Sequence, residues 1–123
     1  MRLLGVDFGR RRVGLAISDP TQTLARPLET LVLAPGEDAA VRVAARVGEL
    51  CLEDDGLTGI VVGVPRRLNG TESDQTPAVL EFVRALKAEL KRQAEAHQAR
   101  KEGAAGDTIY LRPDPLLYDY FIQ

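Results

Sequence analysis

The sequence predicts an α/β fold in which three short strands precede an alternation of helices and strands. Short apolar runs of extended character fill the first 33 residues, and a helical spacing of apolar residues follows them. An uninterrupted β-branched run at 58–64 is typical of a strand buried on both faces between helices. We therefore expect the order β-β-β-α-β-α-β in one three-layered sandwich, with a mixed sheet and helices on both faces.

The first three runs predict an antiparallel start to the sheet. Runs 2–7 and 12–18 are joined by a short link containing Gly9, which is typical of a β-hairpin. A further run at 27–33 follows a turn signal at 19–20 and is expected to add a third strand.

The rest of the chain predicts two helices separated by the buried strand. Apolar residues at helical spacing favour a helix over 37–52, and Pro65 ends the strand that follows. Thr76 is the expected cap of a second helix, because Thr accepts hydrogen bonds from free N–H groups and the next residue is proline. Lone Cys51 is expected to be a small buried residue of the first helix.

The domain boundaries follow from length and charge pattern. With 123 residues, the chain is expected to form a single domain over 1–123. Residues 91–106 carry no large apolar side chain, which favours a charged helical extension or a linker. Residues 107–123 form an atypical C-terminal tail, in which 108–111 is a candidate last strand.

Composition excludes several classes of protein. No apolar run reaches the roughly 18 to 20 residues that cross a bilayer, and the N-terminus lacks a secretory pattern, so we expect a cytoplasmic protein without membrane contact. The net charge is −2, so any binding of nucleic acid must depend on local clusters of Arg and Lys.

Asp7 is the first candidate for a catalytic residue. It stands at the end of an apolar strand, where an unpaired buried carboxylate costs several kcal/mol and a bound metal ion offsets that cost. Gly5 and Gly9 on either side leave room for a phosphate to approach. The alternative is an aspartate that caps the hairpin turn.

Two arginine-containing loops are candidates for phosphate binding. Arg10, Arg11 and Arg12 follow Asp7 in the hairpin turn, and guanidinium groups donate two hydrogen bonds at once to phosphate. A second loop follows the buried strand, where ligands of α/β sheets tend to bind, and its candidates are Arg66, Arg67 and Asn69. The alternative for both is a solvated turn.

Three blocks of sequence resemble one known family. They are LGVDFGRRRVGLAISDP at 4–20, ARPLETL at 25–31 and IVVGVPRRLNGTESDQ at 60–75. In order and spacing they are similar to the YqgF/RuvX family, over about the first 90 residues. The resemblance implies an RNase H-like fold of the RuvC type and nuclease activity on structured or branched nucleic acid, associated with maturation of the 5′ end of pre-16S rRNA.

The resemblance also implies a site in which acidic residues hold Mg²⁺ or Mn²⁺. Asp7 matches the family's first acidic position, and Asp114 is the nearest candidate for the second. The family's Asp-Glu-Arg-Leu motif and its final helix with a last Asp are absent here. One carboxylate does not hold two metal ions, so a second hypothesis stays open, namely a non-catalytic module that binds nucleic acid.

We therefore expect a metal-dependent endo- or exonuclease, a phosphodiester hydrolase, whose partner is pre-rRNA or branched DNA. A homodimer is left open. A nucleotide-binding lobe of the sugar-kinase or actin type also uses an aspartate in a hairpin, but it needs a second large domain to close over ATP.

Overall fold

The fold is known from a computed structural model that describes residues 1–65, 67–71, 73–103 and 120–122, with side chains up to residue 96. Within these ranges, five strands and two helices follow one another. They are β1 (Arg2–Phe8), β2 (Arg12–Ser18), β3 (Ala25–Val32), α1 (Ala39–Cys51), β4 (Leu57–Val62), α2 (Thr76–Gly103) and β5 (Tyr120–Ile122).

The strands form one mixed sheet in the order β3-β2-β1-β4-β5. The predicted antiparallel start is confirmed: β1 pairs with β2, and β2 with β3, both antiparallel. Strand β4 then pairs parallel to β1, and β5 parallel to β4. Because β1, β4 and β5 run in the same direction, their carboxyl ends lie at one edge of the sheet.

The hairpin between β1 and β2 depends on Gly9. A Cβ atom at this position would lie 2.6 Å from the backbone oxygen of Arg12, closer than side-chain carbons approach backbone atoms. Glycine is therefore the residue that lets the chain turn within three residues.

Helix α1 is an amphipathic helix with its own cap. The side chain of Asp38 accepts hydrogen bonds from the backbone N–H groups of Ala40 and Val41. Its buried face includes Val43, Val47 and Leu50. Cys51 is buried at its last turn, as expected.

Both helices pack on the same face of the sheet. Side chains alternate along a strand, so Leu4 and Val6 of β1 enter a single core with both helices. Gly5 and Asp7 of the same strand point to the opposite face. The mixed α/β fold class is confirmed, and α1 and α2 supply one helical layer; the layer expected on the other face is not among the described helices.

The carboxyl-terminal predictions lie partly outside the described residues. Helix α2 continues to Gly103, through most of the stretch expected to be a charged extension or linker. The candidate strand at 108–111 lies outside the described residues. Strand β5 was not predicted. No helix in the described ranges is long and apolar enough to cross a membrane.

Candidate functional site

Asp7 lies near the carboxyl end of β1, directly opposite Gly14 of β2. The expectation that its carboxylate is buried was wrong, because Asp7 is exposed. The cause is strand alternation, which places Val6 in the core and Asp7 on the face that no described helix covers. Among the described residues, no side chain or backbone group donates a hydrogen bond to the side-chain carboxylate of Asp7. A hairpin cap would accept one, so the capping alternative finds no support.

Asp7 lines a groove of about 540 Å³ on the face of the sheet that no described helix covers. Its lining includes three small residues, Gly5 from β1 and Gly14 and Ala16 from β2. A Cβ atom added at Gly14 would contact the Cβ of Asp7 at 3.6 Å. Since glycine adds no side chain there, the carboxylate and the neighbouring backbone are both accessible.

A second hollow, of about 260 Å³, adjoins Asp7 on the side of β4. Asp7, Gly63, Pro65 and Gln75 line it together with Phe8 and Val64. The backbone N–H of Gly63 donates to the oxygen of Val6 at 3.2 Å, which continues the pairing of β4 with β1 beyond the strand. Asp7 therefore faces the loop that follows β4, as the topology of the sheet predicts.

Aromatic stacking fixes the end of β1 that carries Asp7. The ring of Phe8 stacks on Phe82 of α2, with centroids 4.5 Å apart and planes inclined by 20°. Phe82 itself is buried in the core. The residue next to the candidate carboxylate is thus anchored to the helical layer.

The arginines of the hairpin turn lie beside this carboxylate. Arg10, Arg11 and Arg12 are all exposed. Arg12 is two residues from Gly14 on β2 and so shares its face, and Gly14 is the partner of Asp7. This confirms the expectation that at least one of the three arginines lies on the Asp7 side.

These three arginines differ from most others in the described part of the chain. Six described arginines form ion pairs with Asp or Glu, at positions 2, 42, 46, 67, 84 and 92. Within the described ranges, no ion pair or side-chain hydrogen bond involves Arg10, Arg11 or Arg12. Their guanidinium groups are therefore open to an external anion.

The loop between β4 and α2 is braced at its base by Thr76. Its hydroxyl donates to the backbone oxygen of Pro65 at 2.6 Å and accepts from the N–H of Ser73 at 2.8 Å. Thr76 is fully buried. Thr76 therefore ties the two ends of the loop together. The prediction that it caps α2 was wrong, because among the described residues its hydroxyl accepts from Ser73, which precedes the helix, and from no N–H of the first turn. The N–H of Gln75 donates to the hydroxyl of Ser73 at 3.2 Å.

The tip of the same loop is a closed turn. Asn69 Oδ1 accepts hydrogen bonds from the backbone N–H and the hydroxyl of Thr71, at 3.0 and 2.6 Å. Arg67 pairs with Asp74 at 3.3 Å, but both side chains are largely exposed, so this pair is weak. Arg66 lies outside the described residues.

The described residues bring together part of the predicted site. Asp7, the Arg10–Arg12 turn and the Arg67 loop share the edge formed by the carboxyl ends of β1 and β4. Asp114 lies outside the described residues. No group of three His, Cys, Asp or Glu side chains able to hold a metal ion occurs in the described ranges.

Gln75 was missed by the sequence analysis. It lines the hollow beside Asp7, and its position depends on how the loop returns from β4 to α2. In the sequence, its position immediately before the start of α2 was the one feature that could have indicated this location.

Fold and site together define the class of protein. A mixed sheet in the order 3-2-1-4-5, with an antiparallel start and an exposed aspartate at the carboxyl end of its first strand, has the topology of the RNase H-like fold. Residues 1–101 match the family described as "RuvX: Holliday junction resolvase". The chain belongs to the RuvX family, as the sequence motifs predicted.

Curated relatives agree with this assignment. A protein of Chloroflexus aggregans named "Putative pre-16S rRNA nuclease" is 36% identical over 107 residues, which cover 87% of this chain and 72% of that protein. A protein of the same name from Corynebacterium jeikeium is 45% identical over 89 residues, covering 72% of this chain and 54% of that protein. A third protein of this name, from Acetivibrio thermocellus, is 34% identical over 91 residues, which cover 74% of this chain and 62% of that protein.

The chain thus spans between about half and three quarters of the length of these relatives. Among solved structures, RuvC of Thermus thermophilus in complex with a Holliday junction substrate is similar at 18% identity and a TM-score of 0.48, over 96% of this chain and 89% of that chain.

Proposed function

We propose that this chain is a metal-dependent nuclease of structured nucleic acid, acting in 5′-end maturation of pre-16S rRNA and on branched DNA. The observation that carries the proposal is Asp7, an exposed carboxylate without a described hydrogen-bond donor, in a chain that belongs to the RuvX family. A carboxylate that stabilises a fold usually accepts hydrogen bonds. The carboxylate of Asp7 accepts none from the described residues, and the three arginines beside it form no described ion pair.

Asp7 supplies one carboxylate of the kind that a hard divalent cation binds, and the described residues supply no cluster of three such ligands. Mg²⁺ and Mn²⁺ prefer oxygen ligands, and Mg²⁺ commonly binds through one or two carboxylates together with substrate phosphates and water. Asp7 would hold such an ion, and Asp114 remains our candidate for a second carboxylate. The bound metal would supply activation of water and stabilisation of the leaving oxygen.

The other residues of the site position the substrate. Arg10, Arg11 and Arg12 would bind phosphates that flank the cleaved bond through paired N–H donors. Arg67 would leave its weak contact with Asp74 for a phosphate of the same strand, and Arg66 and Asn69 remain candidates in that loop. The glycines beside Asp7 let the sugar-phosphate backbone approach the sheet.

Cleavage of a labelled pre-16S rRNA fragment and of a four-way DNA junction, with Mg²⁺ or Mn²⁺, tests the proposal. Asp7→Asn should lower the rate by at least about 100-fold, since it removes the charge that holds the metal ion. Asp55→Asn is the matched control, because Asp55 is an exposed acid in the turn before β4, at the opposite edge of the sheet. Equal rates for wild type and Asp7→Asn contradict the assignment of Asp7.

The second candidate is a non-catalytic module that binds nucleic acid. It is favoured by the finding that the described ranges hold no three-residue metal cluster. This module would bind with the salt dependence of its arginine contacts and would not cut with either metal. The same cleavage assay, with binding measured in parallel, separates the two functions.

The setting of the activity follows from the substrate. A nuclease of pre-rRNA acts in the bacterial cytoplasm, where that RNA is transcribed and matured. We leave a homodimer as a hypothesis, which sedimentation of the chain alone and with a junction would test.

A further inference from the structure

Gln75 shares the hollow of about 260 Å³ with Asp7, and its side chain takes no described part in holding the fold together. It is exposed, and within the described ranges its side-chain amide forms no hydrogen bond. An amide group carries two donors and an acceptor, which a stabilising role in the loop would use. The side chain of Gln75 is therefore open to a ligand in the hollow.

The start of α2 does not use this side chain either. The backbone oxygen of Gln75 accepts the first helical hydrogen bond, from the N–H of Val79 at 3.2 Å, so Gln75 occupies the N-cap position. The side chains that bind the free N–H groups from this position are the short ones of Ser, Thr, Asp and Asn. Glutamine is not among them, and the side chain of Gln75 lines the hollow instead.

The backbone donors next to this amide are already occupied. The N–H of Gln75 donates to the hydroxyl of Ser73, and the N–H of Thr76 donates to the backbone oxygen of Ser73, each at 3.2 Å. Pro77 has no N–H. These three positions leave no backbone donor for a ligand, whereas the side-chain amide of Gln75 offers two N–H groups.

The electrostatic surroundings favour a phosphate as the ligand of this amide. Helix α2 begins at Thr76 and has no acidic residue in its first turn, so the positive end of its dipole lies beside Gln75 without a carboxylate in that turn. Asp74, just before it, is paired with Arg67. This environment disfavours a second cation at Gln75 and favours an anion.

The hollow has room for that anion. Its volume of about 260 Å³ is several times the roughly 30 Å³ that one water molecule takes up in the liquid. A phosphate group fits there together with a cation at Asp7 and the water molecules of that cation.

We propose that the side-chain amide of Gln75 donates hydrogen bonds to the phosphate that is cleaved and orients it against Asp7. The inference rests on the proposed function in so far as the ligand is a phosphate of nucleic acid. It adds a neutral contact to the charged contacts of the Arg10–Arg12 turn. A neutral donor fixes the orientation of the phosphate and releases no counterion, so it contributes nothing to the salt dependence of binding.

Binding of a four-way DNA junction in EDTA tests this contact, with Asp7→Asn as the parent protein. The parent is chosen because it lacks the carboxylate that repels phosphate when no metal ion is bound. Gln75→Leu keeps the bulk of the side chain without its donors and should weaken binding roughly tenfold, as expected for one hydrogen bond to a charged group. The slope of log K against log salt concentration should stay unchanged.

Two further substitutions at Gln75 separate a donor to phosphate from a residue that only shapes the loop. Gln75→Glu replaces the donors by a negative charge, so it should weaken binding more than Gln75→Leu. Gln75→Asn keeps the amide on a shorter side chain and should recover part of the affinity. Thermal unfolding of all three should match the parent, because the side chain of Gln75 forms no described bond within the fold.

Gln93→Leu in the same parent is the matched control. Gln93 lies about five turns further along α2, roughly 27 Å from Gln75, beside Gly48 of α1. It should bind the junction as the parent does. Equal binding by the parent and Gln75→Leu overturns the inference, and so does tighter binding by Gln75→Glu or an equal loss in Gln93→Leu.

The outcome for the proposed function is read separately, from cleavage by the chain with Asp7 intact. A loss of affinity in Gln75→Leu, together with a wild type that does not cut with Mg²⁺ or Mn²⁺, supports the contact and contradicts the nuclease. A parent protein that binds no junction overturns the contact together with the function on which it rests.

Discussion

Two aspartates of the chain illustrate how surroundings decide a residue's role. Asp19, in the turn between β2 and β3, accepts hydrogen bonds from the hydroxyl of Thr21 and from the backbone N–H groups of Thr23 and Leu24. The carboxylate of Asp7 accepts no hydrogen bond from the described residues. Asp19 is therefore a structural residue whose charge organises a turn, and Asp7 is a carboxylate left open for a ligand.

Asp19 should make the stability of the fold sensitive to acid. Its hydrogen bond from Thr21, followed by that from Leu24, lowers the pKa of Asp19 from 3.8 to about 2. A lowered pKa stabilises the folded state above the unfolded value and the effect is lost as pH falls through the folded value, so the window runs from about pH 4 to about pH 2.

Urea unfolding of wild type and Asp19→Asn between pH 2 and pH 5 measures this contribution. The free energy of unfolding of wild type should fall on acidification, and that of the variant should fall less, because the asparagine has no carboxylate to protonate. Thr21→Ala should give an intermediate profile, since it removes the strongest of the contacts. Identical acid profiles for wild type and Asp19→Asn would contradict the role of this turn.

At the scale of elements, the loop between β4 and α2 depends on one buried hydroxyl. Thr76 satisfies the oxygen of Pro65 and the N–H of Ser73 at once. Thr76→Val keeps the shape and leaves both groups without that partner, which should lower the free energy of unfolding by about 1 to 3 kcal/mol.

Thr58→Val is the control for this prediction. Thr58 is half-buried on β4, where a β-branched side chain remains favourable, so its unfolding free energy should stay within about 0.5 kcal/mol of wild type. Urea denaturation of the two variants side by side makes the comparison. A Thr76→Val protein as stable as Thr58→Val would show that the bridge contributes nothing.

The elements also show what the sequence could predict. Apolar periodicity located β1, β2, β3, α1 and β4 to within two residues, because the core is built from strand alternation and one helical stripe. The burial of Asp7 was predicted wrongly. In sequence, the apolar strand β1 resembles a strand buried on both faces, but the described helices cover only one of its faces. Thr is a residue type that often caps helices, so the sequence indicated a cap at Thr76. Its hydrogen bond to Pro65 depends on the path of the loop between β4 and α2, which the sequence does not give. The place of Gln75 beside Asp7 depends on the path of the same loop.

At the scale of the whole molecule, charge is arranged locally. The formal net charge is −2, and most described arginines are neutralised by acidic neighbours, such as Arg46 by Glu29 and Glu49. The Arg10–Arg12 turn is not neutralised in this way within the described ranges. An acidic protein can thus present one cationic surface to phosphates while the rest repels them.

This arrangement predicts that the turn dominates the salt dependence of binding. Each phosphate contact contributes about 0.9 to the slope of log K against log salt concentration for duplex DNA, so Arg10→Gln, Arg11→Gln and Arg12→Gln together should reduce the slope by up to about 3. The matched control replaces Arg84, Lys91 and Arg92 of α2 by Gln, which removes the same charge from exposed positions in the helical layer. Binding of a four-way junction, titrated at several salt concentrations, should show the loss of slope in the turn variant alone. Equal losses in both would mean that net charge, and not the turn beside Asp7, governs the interaction.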